Sequence, residues 1–336
     1  MRILITGGLG FIGVNLIKEL IKNKNNVICN IDKVSYCSSP EALDYLNKNQ
    51  RYIFKKINIS NYKKLKKEFF NFKPEKIINL AAESHVDVSI NNPDIFIRSN
   101  ILGSYNMLKI SNEYLNKFKL KNFKFLHVST DEVFGSLTKK QSAFKENSKF
   151  KPNSPYSASK ASSDLLVNAW NKTFNIPTLT TNCSNNFGPW QYPEKLIPLI
   201  IYKCLNKKNI PIYGNGKNIR DWIYVEDHVK AIILVLKKGI VSESYNIGTN
   251  REISNIQICS IICDYFNKKY KDTNFDYKNL ITFVQDRKGH DFRYAIDNTK
   301  IKNKLNFKYQ QNFKQNLEST IEWYINNKKW LNKKAK

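Results

Sequence analysis

The chain has 336 residues, which is long for one compact domain and short for three, so we expect a large domain and a smaller one. Apolar residues make up 41% of the chain, and no apolar run reaches the roughly 18 residues of a membrane-spanning helix. This composition argues against an integral membrane protein or a secretory leader and favours a globular protein of the cytoplasm.

The formal net charge of +27 permits binding to a nucleic acid or to an anionic membrane. The lysines are scattered through helices and turns, without an arginine-rich block or zinc-finger spacing, so we favour a solvated basic surface and expect neither partner. The six cysteines include no Cys-x-x-Cys pair and no cysteine/histidine spacing typical of metal sites. We therefore expect reduced thiols and no bound metal.

Short β-branched runs alternate with amphipathic helical patterns in the first half of the chain. The predicted strands are Arg2–Thr6, Val27–Asp32, Tyr52–Ile57, Lys76–Leu80, Phe123–Ser129 and Thr178–Asn182. The predicted helices between them are Gly13–Lys22, Tyr62–Phe70, Ile95–Phe118 and Tyr156–Phe174. Such alternation predicts an α/β fold with a Rossmann-type, doubly wound parallel sheet.

The second half of the chain changes character after about residue 183, where turn-rich stretches interrupt the alternation. Helices are predicted at Val225–Lys237, Ile253–Tyr270 and Asn316–Asn327. We expect residues 1–182, with a return segment at about 215–250, to form the Rossmann domain. Residues 183–214 and 251–336 are expected to form a smaller mixed α/β lobe, which folds against it because no flexible linker separates the two.

A glycine-rich turn, "TGGLGFIG", follows the first predicted strand and contains Gly7, Gly10 and Gly13. Glycines there permit a tight turn and the close approach of a pyrophosphate to a helix N-terminus. Asp32 ends the second predicted strand, where a carboxylate accepts hydrogen bonds from a ribose and repels a 2′-phosphate. The pattern predicts an NAD site rather than an NADP site; a plain turn and a helix-capping aspartate are the structural alternatives.

Tyr156 and Lys160, in "SPYSASKAS", are four residues apart, so a helix places them on one face. A phenol has a pKa of about 10, which must fall by about three units before it serves as a base at neutral pH. A lysine ammonium one turn away and an oxidised nicotinamide nearby would both lower it. Such a pair is common on surface helices, but behind a dinucleotide loop it predicts a catalytic tyrosine.

Thr130, Asp131 and Glu132 follow the fifth predicted strand in "HVSTDEVFG". Two adjacent carboxyls in a dry site repel each other, which keeps one protonated while its neighbour is ionised. The stretch therefore predicts an acid beside a base, and a strand-ending turn is the structural alternative.

These motifs belong to a set that spans almost the whole chain. The set is "TGGLGFIG", "AAESHVDVSI", "STDEVFG", "SPYSASKASSD", "NCSNNFGPWQYPEKLIPL", "YGNGKNIRDWIYVEDH", "YNIGTNREISN" and "DRKGHDFRYAID". It resembles the extended short-chain dehydrogenase/reductase family, and within it the NAD-dependent sugar-nucleotide dehydratases. The resemblance implies bound NAD, a nucleotide-diphospho-glucose substrate with dTDP favoured over UDP, and a homodimer built through a helix bundle.

The resemblance also implies a reaction in which C4 of the sugar is oxidised, water is lost across C5 and C6, and hydride returns to C6. Tyr156 would take the proton of the C4 hydroxyl, while Thr130 and Lys160 hold the alkoxide and the ribose. Glu132 would remove the C5 proton, and Asp131 would protonate the departing C6 hydroxyl.

The binding residues follow from the same resemblance. Cofactor contacts are implied for Gly7, Gly10, Phe11, Ile12, Gly13, Asp32, Lys33, Asn58, Ile59, Ala81, Ala82, Tyr156 and Lys160. Substrate contacts are implied for His85, Asn185, Glu194, Lys195, Leu196, Pro211, Tyr213, Arg220, Asn255, Arg287 and His290. Cationic and amide groups that converge on a diphosphate suit such a ligand.

Three positions depart from the family pattern. Val88 stands where a basic residue is usual, Asn58 where an aspartate usually meets the adenine amino group, and Lys288 where proline is usual. Asn58 can still accept that hydrogen bond through its amide oxygen. The departures at Val88 and Lys288 concern fine substrate contacts and leave the reaction class unchanged.

Several alternatives stay open at this point. His85 is expected near the sugar or else in the core, and His127 and His228 are interpreted as structural. A sugar-nucleotide 4-epimerase or a glucuronate decarboxylase would share the scaffold, but neither calls for both Asp131 and Glu132. A basic nucleic-acid-binding protein that kept the fold without activity is the alternative from another class.

Overall fold

The computed structural model describes residues 1–271, 275–309 and 312–335. The strands are β1 (Arg2–Thr6), β2 (Val27–Asp32), β3 (Tyr52–Lys56), β4 (Lys76–Asn79), β5 (Lys124–Thr130), β6 (Thr178–Cys183), β7 (Asn185–Phe187), β8 (Ile210–Tyr213), β9 (Ile219–Tyr224), β10 (Ser244–Ile247), β11 (Glu252–Ser254) and β12 (Ile281–Val284). The helices are α1 (Phe11–Leu20), α2 (Tyr62–Phe72), α3 (Val86–Asn91), α4 (Asp94–Phe96), α5 (Gly103–Phe118), α6 (Pro155–Phe174), α7 (Leu196–Leu205), α8 (Val225–Lys238), α9 (Asn255–Tyr270), α10 (Thr299–Leu305), α11 (Phe313–Asn326) and α12 (Lys328–Lys334). Short 3-10 helices span Pro40–Leu46, Asp131–Phe134 and Tyr277–Leu280.

A seven-stranded sheet forms the centre of the molecule, in the order β10-β6-β5-β4-β1-β2-β3. Every neighbouring pair is parallel. The direction of strand addition reverses between β1 and β4, and in open α/β sheets ligands bind at the carboxyl ends of the strands beside such a reversal. The predicted fold class is confirmed.

Helices cover both faces of this sheet, which explains why the central strands β1 and β4 are buried over nearly their whole length. Val14 and Ile17 of α1 share one core with Ile232 of α8. On the opposite face, Leu65 of α2 packs in a second core with Met107 of α5, together with side chains of α6. In the described part of the chain, no helix has the length and apolar character needed to cross a membrane.

The predicted helix Ile95–Phe118 is built from three pieces: α4, a π-helical turn at Ile97–Leu102, and α5. Inside the turn, the buried side chain of Asn100 donates from Nδ2 to Ser159 Oγ at 2.8 Å and to the Glu83 carbonyl at 3.0 Å. The π-helical turn, which is wider than a turn of α-helix, directs the Asn100 side chain toward α6 and the loop after β4. A periodicity of apolar residues alone does not signal such a turn.

The smaller lobe contains a three-stranded sheet, β11-β9-β7, and a two-stranded parallel sheet, β12-β8. The return segment predicted at about 215–250 contributes α8 and β10 to the Rossmann side, but β9 to the three-stranded sheet. The lobe predicted at 251–336 includes a few positions outside the described residues. The exact division between the two lobes stays a prediction.

Candidate active site

The glycine-rich turn between β1 and α1 is tight enough to require glycine at two positions. Gly7 has φ +73°, and a Cβ there would lie 2.7 Å from the Ala81 backbone. A Cβ on Gly13 would lie 2.4 Å from the Gly7 carbonyl oxygen. Gly10 is the N-cap of α1 and is less constrained, because its Cβ would meet only the Gly7 oxygen at 3.3 Å. The turn thus leaves the helix N-terminus open to a cavity, as an anion site requires.

Asp32, at the end of β2, is 7% exposed and also stabilises the neighbouring loops. Its Oδ2 accepts the Leu9 N–H at 3.0 Å, and its Oδ1 accepts the Val34 N–H at 2.7 Å. Burial raises the pKa of the Asp32 carboxyl, and these donors oppose the rise. The Asp32 carboxylate therefore both hydrogen-bonds to the neighbouring loops and lines a cavity.

A cavity of about 290 Å³ extends from the glycine-rich turn over the ends of the central strands. Its wall includes every residue predicted to contact the cofactor: Gly7, Gly10, Phe11, Ile12, Gly13, Asp32, Lys33, Asn58, Ile59, Ala81, Ala82, Tyr156 and Lys160. Asn58 Oδ1 already accepts the Ser60 N–H at 3.0 Å, and an amide oxygen has a second lone pair for another donor. The structure thus brings the whole predicted set together.

Thr130, Asp131 and Glu132 line the same cavity where β5 ends and a 3-10 helix begins. Thr130 is the N-cap, and its Oγ1 accepts the Glu132 N–H at 3.3 Å. The same hydroxyl lies 3.3 Å from Asp131 Oδ1, whereas Asp131 Oδ2 is buried without a hydrogen-bond partner among the described residues. The N-cap explains why the chain turns here, and the side chains of Asp131 and Glu132 leave the turn in different directions.

The two carboxyls differ in their surroundings. Burial raises the pKa of Asp131 well above its ordinary value, and the charges of Glu132 and Asp221 add to the rise. Burial also raises the pKa of Glu132, but the cations Arg220 and Lys195 oppose that rise. The arrangement favours a protonated Asp131 beside an ionised Glu132, which is an acid beside a base.

Tyr156 and Lys160 lie in the first turns of α6, whose N-cap Ser154 forms a capping box with Ser157. Burial raises the pKa of Tyr156 well above 10, as do the charges of Glu132 and other groups, and a hydrogen bond with Thr130 opposes the rise. Burial lowers the pKa of Lys160, whose Nζ donates to the Val128 carbonyl at 2.8 Å. Burial of the phenol thus acts against the expected lowering of the tyrosine pKa, and the hydrogen bond with Thr130 acts in its favour.

A second cavity, of about 390 Å³, lies between the Rossmann side and the smaller lobe. Its wall includes all residues predicted to contact the substrate: His85, Asn185, Glu194, Lys195, Leu196, Pro211, Tyr213, Arg220, Asn255, Arg287 and His290. Glu132, Asn185 and Lys195 are among the residues that line both cavities, so the two meet beside Glu132. Asn185 Oδ1 is buried without a hydrogen-bond partner among the described residues, which leaves an acceptor for a ligand.

The cations of the second cavity are held by different partners. Arg287 forms an ion pair with Asp87, with 2.7 Å between Nε and Oδ1, and its guanidinium lies 5.0 Å from the centre of the Tyr213 ring. Arg220 is buried and donates to backbone carbonyls, including that of Asp291 at 2.9 Å. Arg287 is therefore held by a side chain that a diphosphate can replace, whereas Arg220 is fixed by the backbone.

His85 lies at the cavity and not in the core, which decides between the two alternatives for its location. Its Nε2 is 3.6 Å from Glu194 Oε2, and its Nδ1 is 3.9 Å from Asp87 Oδ2. Burial lowers the pKa of His85, and Glu194 opposes this. His228, by contrast, is buried with a pKa lowered to about 3, and its Nδ1 lies 2.8 Å from Asn186 Oδ1, as suits a structural residue.

Some cavity residues were not predicted from the sequence. Tyr294 and Asp291 line the second cavity beside Glu132, and a hydrogen bond joins the Tyr294 hydroxyl to the Asp291 carboxylate. Both lie in the quoted segment "DRKGHDFRYAID", so the segment identified the region but not the residues.

His127, interpreted as structural, has Nε2 within 3.5 Å of Lys160 Nζ. Among the described residues, no cluster of three or more His, Cys, Asp or Glu side chains is suited to hold a metal.

Known proteins resemble this chain over nearly its full length. The dTDP-glucose 4,6-dehydratase of Salmonella typhimurium is 44% identical, over 99% of this chain and 95% of the relative. The protein of the same name from Neisseria meningitidis is 43% identical, over 98% of this chain and 94% of the relative.

Solved structures agree with this similarity. The crystal structure of DesIV, a dTDP-glucose 4,6-dehydratase from Streptomyces venezuelae with NAD and TYD bound, has a TM-score of 0.90, 35% identity and 98% coverage of both chains. A UDP-glucose 4-epimerase of Thermotoga maritima has a TM-score of 0.86 at 26% identity, with 97% of this chain and 99% of that chain covered. The family described as GDP-mannose 4,6 dehydratase matches residues 4–320. The chain therefore belongs to this family of sugar-nucleotide dehydratases, as its motifs predicted.

Proposed function

We propose that the protein catalyses the NAD-dependent dehydration of a nucleotide-diphospho-glucose, dTDP-glucose above all, to the 4-keto-6-deoxy sugar. One observation carries the proposal: Asp131 and Glu132 stand side by side, Asp131 in the wall of the first cavity and Glu132 in the walls of both, in surroundings that favour one protonated and one ionised carboxyl. The names of relatives from several bacteria support the same reaction.

The first cavity has the features that NAD needs. The Gly7 and Gly13 backbones leave no room for a Cβ and free the α1 N-terminus for a pyrophosphate. Asp32 would accept the ribose hydroxyls, and its negative charge would repel a 2′-phosphate. Asn58 would meet the adenine amino group. These residues fit NAD better than NADP, and two dehydratases of similar structure are described with NAD bound.

When bound, NAD supplies the acceptor that takes hydride from C4 and returns it at C6, and the positive charge of its oxidised ring favours a tyrosinate. Tyr156 accepts the proton of the C4 hydroxyl at its phenolic oxygen. Thr130 Oγ1 and Lys160 Nζ hold the alkoxide and the ribose. Because burial raises the pKa of Tyr156, the phenol needs the positive charges of Lys160 and of the oxidised ring to serve as a base.

The elimination needs a base at C5 and an acid at C6. Glu132 is the base, because Arg220 and Lys195 favour its ionised form. Asp131 is the acid, because burial and the charge of Glu132 keep its proton in place. Oxidation at C4 makes the C5 proton acidic, so Glu132 acts only after Tyr156.

The second cavity would hold the nucleotide diphosphate. Arg220, Arg287 and Lys195 supply positive charge for the phosphates, and Arg287 would exchange Asp87 for a phosphate oxygen. Tyr213 and Pro211 would flank the base. Asn185, Asn255, His290, Glu194 and Leu196 complete the wall, and His85 would lie near the sugar.

The nucleotide itself is supported by the relatives more than by the cavity. Thymine and uracil differ by one methyl group, worth about 1 kcal/mol of burial. Eight curated relatives at 42–44% identity carry the name dTDP-glucose 4,6-dehydratase. We therefore place dTDP-glucose first and UDP-glucose second.

We also propose a homodimer that forms through α5 and α6. These helices and the π-helical turn expose Ile97, Leu102, Phe118, Leu165 and Phe174, with Leu165 at 57%. Exposed apolar side chains on neighbouring helices favour a two-fold helix bundle. Light scattering should give twice the mass of the chain, and Leu165→Glu should give the monomer. A wild-type monomer would contradict the proposal.

We place the protein in the cytoplasm. All six cysteines are free thiols, and five of them are buried. Unpaired thiols suit a reducing compartment. Fractionation of the source cells should recover the activity with the cytosolic enzymes.

The direct test of the proposed function is mass spectrometry of dTDP-glucose and UDP-glucose incubated with the protein. We expect a product that is lighter by one water from dTDP-glucose, and a lower rate with UDP-glucose. A product of unchanged mass would indicate the 4-epimerase reaction instead. No product from either substrate would contradict the proposal.

A further inference from the structure

Helix α6 carries a third buried polar residue in line with the catalytic pair. Asp164 follows Lys160 by four residues and Tyr156 by eight, so all three lie on one face of the helix. Asp164 is 5% exposed and Lys160 is 4% exposed. Neither cavity includes Asp164 in its wall, so any role of this carboxylate in the reaction is indirect.

The carboxylate of Asp164 accepts hydrogen bonds from two neighbouring strands of the central sheet. Its Oδ2 accepts the Ser129 hydroxyl of β5 at 2.8 Å and the Asn182 amide of β6 at 3.2 Å. Its Oδ1 is buried without a hydrogen bond among the described residues and lies 3.3 Å from His127 Nε2. A buried carboxylate needs such donors, so the second oxygen depends on the imidazole.

A directed chain of hydrogen bonds determines which nitrogen of His127 carries the hydrogen. The Thr6 hydroxyl accepts the Ala81 N–H at 3.2 Å and donates to Asn79 Oδ1 at 2.6 Å. This orients the Asn79 amide, whose Nδ2 then donates to His127 Nδ1 at 3.1 Å. Nδ1 is therefore the acceptor, and in the neutral ring the hydrogen is on Nε2, which faces Asp164. Burial and the nearby Lys160 lower the pKa of His127, which favours the neutral ring.

Lys160 approaches the same nitrogen of the imidazole as Asp164 does. Its Nζ is 3.5 Å from His127 Nε2 and donates to the Val128 carbonyl. Burial lowers the pKa of Lys160, and Asp164 is the first group that opposes this, followed by Cys183 of β6. The titratable groups that act on the ammonium are thus Asp164 on α6 and Cys183 on β6 through their charge, and His127 on β5 through its ring nitrogen, which both Lys160 and Asp164 approach. Only Asp164 among these three is a carboxylate.

We propose that Asp164, together with His127, is a positioning residue that keeps Lys160 in the ammonium form beside Tyr156. The imidazole orients the carboxylate, and the negative charge of Asp164 stabilises the positive charge of a lysine that the fold has removed from water. This inference rests on the proposed function, because it gives Lys160 and Tyr156 their place in that reaction. The competing interpretation is a polar cluster that only satisfies buried groups.

The test compares Asp164→Asn, Asp164→Glu and His127→Asn with the wild type. Asp264→Asn is the matched control, because it removes a carboxylate that pairs with Lys278 at the surface of α9. The first measurement is the pH profile of kcat/KM with dTDP-glucose. The second needs no turnover: calorimetry of NAD binding to protein stripped of cofactor, at the same pH values.

Loss of the negative charge lowers the pKa of Lys160, so the ammonium is lost at lower pH. In Asp164→Asn the alkaline limb of the profile should move down by about one pH unit or more. NAD binding should weaken in the same range by up to about tenfold per pH unit, the slope for loss of one proton. Asp164→Glu should restore most of the wild-type pH profile and NAD binding, because it keeps the negative charge. His127→Asn should shift the alkaline limb in the same direction as Asp164→Asn. Asp264→Asn should match the wild type.

A folded Asp164→Asn with unchanged alkaline limb and unchanged pH dependence of NAD binding would overturn the inference. If Asp164→Asn does not fold, His127→Asn decides in the same way, since a profile equal to the wild type contradicts the role. Failure of the proposed function looks different, because the wild type itself would then form no dehydrated product.

Discussion

Asp131 and Glu132 are successive residues in one turn of 3-10 helix, and the negative charge of Glu132 raises the pKa of Asp131. Arg220 opposes the rise at both residues, and at Glu132 the cations Lys195 and Arg287 add to this opposition. More positive charge therefore acts on Glu132 than on Asp131. Such unequal surroundings are what an acid–base pair of carboxyls requires.

Glu132→Gln should stop the elimination while cofactor binding stays intact, because the first oxidation does not use this carboxylate. The absorbance of reduced nicotinamide should build up when dTDP-glucose is added. We expect turnover to fall by about 100- to 10,000-fold, the usual contribution of a general base. Glu322→Gln, at a surface carboxylate paired with Lys269, is the control and should keep the parental rate. Turnover of Glu132→Gln near the parental rate would remove Glu132 from the base role.

Asp131→Asn should slow the reaction less than Glu132→Gln, since water can replace a general acid, and it should make the protein more stable. The pKa of Asp131 is raised above its ordinary value of 3.8. The stability due to this carboxyl is therefore complete below that value and is lost as the pH rises through the raised pKa. Asparagine is neutral throughout, so the excess of its melting temperature should grow from about pH 4 towards neutrality. Thermal melts without cofactor test this, and an excess that is largest in acid would show that the sign is wrong.

Asp32→Ala should weaken NAD binding and reduce the discrimination against NADP. The change removes the ribose acceptor and the repulsive charge together. It also removes the acceptor of the Leu9 and Val34 N–H groups, so a loss of melting temperature is expected as well. Asp32→Asn keeps an acceptor without the charge and separates the two effects. Dissociation constants for both cofactors, measured on stripped protein, give the answer; an unchanged ratio in both variants would exclude the charge as the selector.

Gly13→Ala should damage the dinucleotide loop more than Gly10→Ala. The new Cβ at position 13 would lie 2.4 Å from the Gly7 oxygen, whereas at position 10 the nearest atom would be 3.3 Å away. We expect Gly13→Ala to lose NAD binding by at least an order of magnitude and Gly10→Ala to stay within a few-fold, because both methyl groups meet the same backbone oxygen but only the contact at position 13 is too short for a small shift to relieve. Fluorescence titration with NAD measures both. Equal losses would mean that the turn relaxes around either methyl group.

The sequence predicted the central sheet well because its strands are short β-branched runs buried on both faces. β1 and β2 begin and end where the pattern predicted. The candidate site was equally visible, since glycine spacing, the Tyr156–Lys160 interval and the Thr130–Glu132 stretch are local features. Their roles as binding and catalytic residues remain predictions.

The relations that escaped prediction join residues distant in the sequence. Arg287 pairs with Asp87 across 200 positions, and His127 reaches Asp164 from another element. No local pattern marks such pairs, because they depend on how strands and helices meet in the fold. For the same reason the sequence did not indicate that His127 lies within 3.5 Å of Lys160. The high pKa of Tyr156 also depends on burial that only the assembled cleft creates.

The reaction itself is tested most directly by the fate of one hydrogen. dTDP-glucose that carries deuterium at C4 should give a 4-keto-6-deoxy sugar with the deuterium in its new methyl group. The same reaction in heavy water should place solvent deuterium at C5, where Glu132 has removed the proton. A 4-epimerase would return the label to C4 of an isomer of unchanged mass, and a decarboxylase would do so only from a uronate with loss of carbon dioxide. Deuterium found in the methyl group by NMR is the result we predict, and deuterium recovered at C4 would contradict the roles of Asp131 and Glu132.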